Sequence, residues 1–179
     1  MQLKTRTILR LRDALLQSGR RPSVVLSPAY ETLTREGLLS TEEMAALNRV
    51  DPLGETMYLM MSAEGTIDET ERDAVRGAIR GLSDNILRTG TINVMIENYA
   101  KRAQDEGRDE RLRQIAEEIS EEPSEAEGAF ALAAAVALAD DEIADEENAL
   151  INQLAEWFGI PSERADEILD QLEEDPDDS

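Results

Sequence analysis

Met60-Met61-Ser62-Ala63-Glu64-Gly65-Thr66-Ile67-Asp68-Glu69-Thr70-Glu71 and Val136-Ala137-Leu138-Ala139-Asp140-Asp141-Glu142-Ile143-Ala144-Asp145-Glu146-Glu147 read as two versions of one segment. In each, an apolar helical run ends in Ala63 or Ala139, an acid follows, and a tight turn leads to Ile67 or Ile143. A second acid then stands seven residues after the first, at the start of the next helix. The offset between the copies, Ala63 to Ala139, is 76 residues. Such a segment is a helical hairpin whose Ile packs back into the core and whose two acids lie across one corner.

The rest of the chain carries the same helical punctuation. Ser40-Thr41-Glu42-Glu43 and Ser124-Glu125-Ala126-Glu127 are S-x-x-E capping boxes, and Asp68-Glu69-Thr70-Glu71 is an Asp-led one. In such a box a side-chain oxygen and a carboxylate reciprocally satisfy the orphan amides of a helix start. Ser27-Pro28, Asp51-Pro52 and Ile160-Pro161 place proline where it suits a first helical position. Apolar residues recur at three and four, as in Val75, Ile79, Leu82 and in Leu150, Leu154, Trp157, Phe158. No stretch alternates at period two beyond the short Val24-Val25-Leu26 run.

These signals predict an all-α chain with helices near 3–18, 28–36, 41–49, 52–63, 69–82, 91–106, 109–121, 125–139, 145–158 and 162–173. Residues 1–50 read as an extra helical N-terminal segment with a basic start, with 19–23 as a linker. Residues 51–173 read as the main helical domain and 174–179 as a disordered acidic tail. Helix 125–139 is apolar nearly all round, which places it at the centre of the bundle.

Composition narrows the chemistry. The 179 residues hold 40 Asp and Glu against 18 Lys and Arg, a net charge of −22, with neither Cys nor His. Thiolate and imidazole catalysis, disulfides and Cys- or His-based metal sites are thereby excluded. The charge is uneven: residues 1–21 carry six bases against Asp13, whereas residues 117–179 carry 22 acids against Arg164. An acidic body repels phosphate backbones, and six aromatic residues offer few stacking platforms, so nucleic acid is not an expected partner. The basic first helix suits docking on the acidic body in cis or binding to a separate anionic surface. The longest apolar run, Ala129 to Ala139, is 11 residues. That falls short of the roughly 18–20 needed to span a bilayer. The basic start lacks an uninterrupted apolar region, so a signal peptide does not fit and the expected location is cytoplasmic.

The pattern Ala-acid-x-x-Ile-x-x-x-Glu, found twice in an acidic helical chain, resembles the tellurite-resistance TerB family over about residues 52–173. That family is similar in turn to the N-terminal domain of the membrane-anchored J-domain protein DjlA. The resemblance implies a bundle of about seven helices built from two pseudo-repeated helical hairpins. It also implies a carboxylate-lined metal site where the turns approach, and a role in stress response or in membrane-associated assemblies. Carried over by position, the metal ligands are Glu64 and Glu71 from the first repeat with Asp140 and Glu147 from the second. The family favours Asp-Gly at the turn, where this chain has Glu64-Gly65 and Asp140-Asp141.

Two readings of these acids stand side by side. Residues 140–147 hold six carboxylates, and all-oxygen sites suit Ca²⁺ or Mg²⁺. Equally, Glu71 is explained as the closing residue of the box opened by Asp68, and Glu146 and Glu147 as first-turn acids favoured by the helix dipole. No organic cofactor is expected. Without His or Cys, a paired-carboxylate hydrolase is the one enzyme class left, and no P-loop, G-x-G-x-x-G or G-x-S-x-G motif supports catalysis. The chain is therefore read as non-enzymatic, working through protein partners. The alternative is a metal-independent helical interaction module whose acidic surface serves solubility in a high-salt host. In that reading Met57, Tyr58, Met60 and Met61 form either a partner-binding edge or core.

Overall fold

The computed structural model describes residues 40–62, 67–119, 123–138 and 145–174, together with Ile8, Leu9 and Arg12. Seven helices follow in chain order: α1 (Thr41–Met61), α2 (Glu69–Leu82), α3 (Thr89–Glu106), α4 (Arg108–Ile119), α5 (Pro123–Leu138), α6 (Asp145–Trp157) and α7 (Ser162–Glu174). No strand occurs among the described residues, so the all-α reading holds. Ile8, Leu9 and Arg12 are helical and fall within the expected 3–18 helix. The expected 28–36 helix, the 19–23 linker and residues 175–179 lie outside the described residues.

The helix starts are governed by their caps, with two corrections. Asp68 caps α2 with a complete box: its carboxylate accepts from Glu71 N–H at 2.8 Å, and Glu71 Oε2 accepts from Asp68 N–H at 2.9 Å. Ser40 caps α1 by accepting from Glu43 N–H at 3.1 Å. The Glu43 carboxylate, however, does not close that box; it is buried and engaged by Arg88 and Thr91. At α5 the helix begins at Pro123, one residue before Ser124, so proline holds the first helical position. Glu127 pairs with Arg164.

The expected break at Asp51-Pro52 is absent. α1 runs through Pro52, so the boundary placed after residue 50 falls inside a helix. A proline within a helix costs about 3 kcal/mol. Burial of Leu47, Val50, Leu53 and Met57 on the same helix contributes roughly 1.5–3 kcal/mol each and outweighs that cost. Two hydrogen bonds tend the proline turn: Thr56 Oγ1 donates to Pro52 O at 2.7 Å, and Tyr99 Oη donates to Asp51 Oδ1 at 2.9 Å. Gly107 separates α3 from α4 at φ 87°, a left-handed conformation that side chains other than glycine's rarely adopt.

The core is one contiguous apolar cluster, and two helices run through it. α1 packs against α2, α3, α4 and α5, while α5 packs against α1, α4, α6 and α7. Every described side chain of α5 except Pro123 is buried or half-buried, as its all-round apolar sequence requires. Met57, Tyr58 and Met61 are buried and Met60 is half-buried against the core, so these residues do not form an exposed partner edge.

The 76-residue offset extends well beyond the two turns. It carries the start of α2 at Glu69 onto the start of α6 at Asp145. Val50, Leu53, Met57, Tyr58 and Met61 of α1 map onto Ala126, Ala129, Ala133, Ala134 and Ala137 of α5, and all ten are buried. Val75, Ala78, Ile79 and Leu82 of α2 map onto Ile151, Leu154, Ala155 and Phe158, again all buried. The molecule is thus two related hairpins, each followed by a further helix, α3 or α7, with α4 as the connector.

Candidate functional site

The acidic corners lie where α1 hands over to α2 and α5 to α6. α1 ends at Ser62, whose N–H donates to Tyr58 O at 2.9 Å and whose hydroxyl donates to Leu59 O at 3.1 Å. Glu71 is the third residue of α2, and Glu147 is the third residue of α6. Glu64 and Asp140 lie outside the described residues. One Glu71 oxygen is engaged in the cap of its own helix. The structure therefore assigns Glu71 and Glu147 equivalent helical positions, and of the four acids only Glu71 has a described side chain. Among the described residues no three acids converge on a point that could hold a metal ion.

A different set of charges is assembled inside the bundle, and sequence reasoning did not single it out. Glu55 of α1 is 2% exposed. Its Oε2 accepts from Arg111 Nη2 at 2.6 Å, and its Oε1 accepts from Arg111 Nη2 at 2.8 Å, Arg111 Nε at 3.2 Å and Arg102 Nη1 at 3.1 Å. Arg111, itself buried, reaches Glu106 at 3.5 Å as well. One carboxylate from α1 thereby ties α3 to α4 across the Gly107 turn. Desolvating an ion pair is repaid only when its remaining hydrogen-bond sites are satisfied, and the fork-on-fork geometry here provides that. Both Glu55 oxygens face guanidinium groups, so it anchors α1 to α3 and α4. A signal was present: Glu55 is the lone charge between Asp51 and Glu64 in an otherwise apolar helical run.

Glu43, buried on α1, forms a second pair with the exposed Arg88. Arg88 Nε donates to it at 2.8 Å and Thr91 Oγ1 at 3.2 Å, which binds α1 to the start of α3. The Arg88 hydrogen bond holds its carboxyl below the usual carboxylate range, against the opposing effect of desolvation. Arg88 precedes α3 and supplies no side-chain cap to it, since a guanidinium has no acceptor for the helix amides; it donates to Glu43 instead. Tyr58 titrates above its ordinary value because burial disfavours the phenolate. At the other end of the bundle, Arg164 of α7 grips Glu127 of α5 through Nε at 2.9 Å and Nη2 at 3.1 Å. Arg76 of α2 donates to Asn93 of α3 at 2.9 Å.

The architecture defines the class: an acidic all-helical bundle made of two hairpin repeats joined by a connecting helix. Residues 54–171 match the model of a family described as tellurite resistance protein TerB, and the chain belongs to that family. No curated protein and no solved structure matches the chain. The family match begins inside α1 and ends inside α7, so it takes in both repeats.

Proposed function

We propose that this TerB-family protein is a non-enzymatic, cytoplasmic stress-response component that acts through protein contacts, including assemblies at membranes. In this proposal its paired acidic corners bind Ca²⁺ or Mg²⁺. The observation that carries the reading is the equivalence of Glu71 and Glu147, each the third residue of a helix that follows a hairpin turn. With Glu64 and Asp140 they make an all-carboxylate donor set, which fits a hard divalent cation in preference to zinc or copper. Membership of a family described by tellurite resistance supports the stress association. Among the described residues no helix is long and apolar enough to cross a membrane, so membrane assemblies would be met through a partner.

The capping role of Glu71 favours a second reading, a metal-independent helical interaction module whose carboxylates cap helices and solvate the surface. Thermal melting of metal-stripped protein, titrated with CaCl₂ or MgCl₂ at fixed high NaCl, separates the two. Specific binding stabilises by about 2.7 kcal/mol at 100 Kd, and high NaCl has already screened the −22 charge. A saturable rise in Tm that Asp140→Asn abolishes supports the metal site. An unmoved Tm in parent and variant alike leaves the interaction module. Partner capture that depends on divalent metal would join the two readings.

A further inference from the structure

The 76-residue offset also pairs Gly81 of α2 with Trp157 of α6, and there the two repeats part company. In the second repeat the indole of Trp157 packs partly buried against the core. In the first, Gly81 leaves that position without a side chain, and Ile8 from the N-terminal segment takes the space. A Cβ placed on Gly81 would lie 2.7 Å from Ile8 Cγ2. Ile8 is 6% exposed and belongs to the core cluster, whereas the next residue, Leu9, is 38% exposed. Four residues after Ile8, on the same helical face, Arg12 Nη1 lies 3.1 Å from Asp84 Oδ1 just beyond the end of α2. Asp84 sits in the left-handed region at φ 55°, in the turn between α2 and α3.

We propose that the Gly81 notch is a docking site for a basic helix bearing Ile-x-x-x-Arg, occupied by the chain's own N-terminal segment. Ile8, Arg12 and the end of α2 then form a latch. The apolar contact supplies the hold, because the ion pair is exposed (Arg12 25%, Asp84 56%) and pairs of that kind contribute little net stability. Arg12 instead sets orientation, and the excess of bases in residues 1–21 draws the segment toward the acidic body. Undocking uncovers the notch and releases Arg12 from Asp84. In the second repeat Trp157 fills the equivalent place from within its own helix, so the latch belongs to the first repeat.

The test is trypsin digestion of the full native chain, read by intact mass for cuts after Lys4, Arg6, Arg10 and Arg12. Gly81→Ala should speed those cuts at least about tenfold, since protection is lost when local opening becomes nearly free. Gly77→Ala, on the same helix with open space at its Cβ, should leave them at the parent rate. Without docking, both substitutions would merely strengthen α2, alanine being the better helix former. Ile8→Asp leaves α2 unaltered and should reproduce the acceleration, which keeps the test valid if Gly81→Ala perturbs folding. Cuts no faster than in the parent for Gly81→Ala and Ile8→Asp would overturn the proposal. So would a parent that sediments as a dimer and an Ile8→Asp variant that sediments as a monomer, because the occupant would then come from a second copy.

Discussion

The two hairpins share a plan but reach a filled core by opposite means. In α1–α2 the buried positions are bulky on the first helix, with Leu53, Met57 and Tyr58. In α5–α6 the equivalent positions are Ala129, Ala133 and Ala134. α1 and α5 pack on one another, so the large residues of one helix meet a helix of small ones, and interior density is kept while the axes come close. The relation reverses locally. Gly54 of α1 leaves room for the Tyr99 hydroxyl, 2.8 Å from where its Cβ would stand, while the equivalent Phe130 fills its own space. Repetition conserves which positions are buried, and the volumes are shared out between the copies.

The repeats also differ in buried charge, which makes the largest expected effect. Glu55 of α1 has Ala131 as its equivalent in α5. Glu55→Ala leaves the buried Arg111 without its close carboxylate, with Glu106 at 3.5 Å remaining, and should lower unfolding free energy by about 3–5 kcal/mol in urea denaturation. Replacing the pair together, as Glu55→Met with Arg111→Met, should recover most of that loss. A double variant as unstable as the single one would mean that Glu55 packs for some reason other than its charge.

The volume asymmetry predicts effects of the next size. Met57→Ala should cost about 2–5 kcal/mol through the cavity it opens. At the equivalent position Ala133→Met should cost about 1–3 kcal/mol by overpacking. Equal tolerance of Met at 133 and of Ala at 57 would show that the repeats are interchangeable, contrary to their packing.

The smallest effect is acid-side and specific to the first repeat. Glu43 has a lowered carboxyl pKa in the folded state, held there by Arg88. A depressed pKa contributes stability that is complete above the unfolded value, near 4.3, and is lost as pH falls through the folded value. The stability difference between parent and Glu43→Gln should therefore be constant at neutral pH and shrink below about pH 4. Chemical denaturation at a series of pH values measures it, and a difference that grew toward acid would contradict the assignment.

Much of this organisation is legible in the residues. The helix starts at Asp68 and Ser40, the burial of the alanine-rich helix and the pairing of the hairpins all follow from caps and from apolar spacing, which are local signals. Pro52 was misleading because its local cost was outweighed by side chains that meet only in the folded core. Glu43 looked like a capping acid because three-residue spacing was the one relation visible, yet its partner Arg88 stands 45 residues away. Glu55 stood out as a lone charge, but nothing along the chain says that Arg102 and Arg111 would meet it. The acidic corners were readable as a pattern, and of their four acids only Glu71 has a described side chain, at a cap.

By itself, then, the sequence determined the all-α class and the duplication at 76 residues, since each rests on periodicity and spacing along one chain, and its match to the family model carries the TerB membership. Tertiary structure alone decided that α1 continues through Pro52, that Glu55 is caged by two arginines and that Ile8 occupies the place left by Gly81. These outcomes depend on atoms brought together from distant positions, where packing and desolvation outweigh local preference.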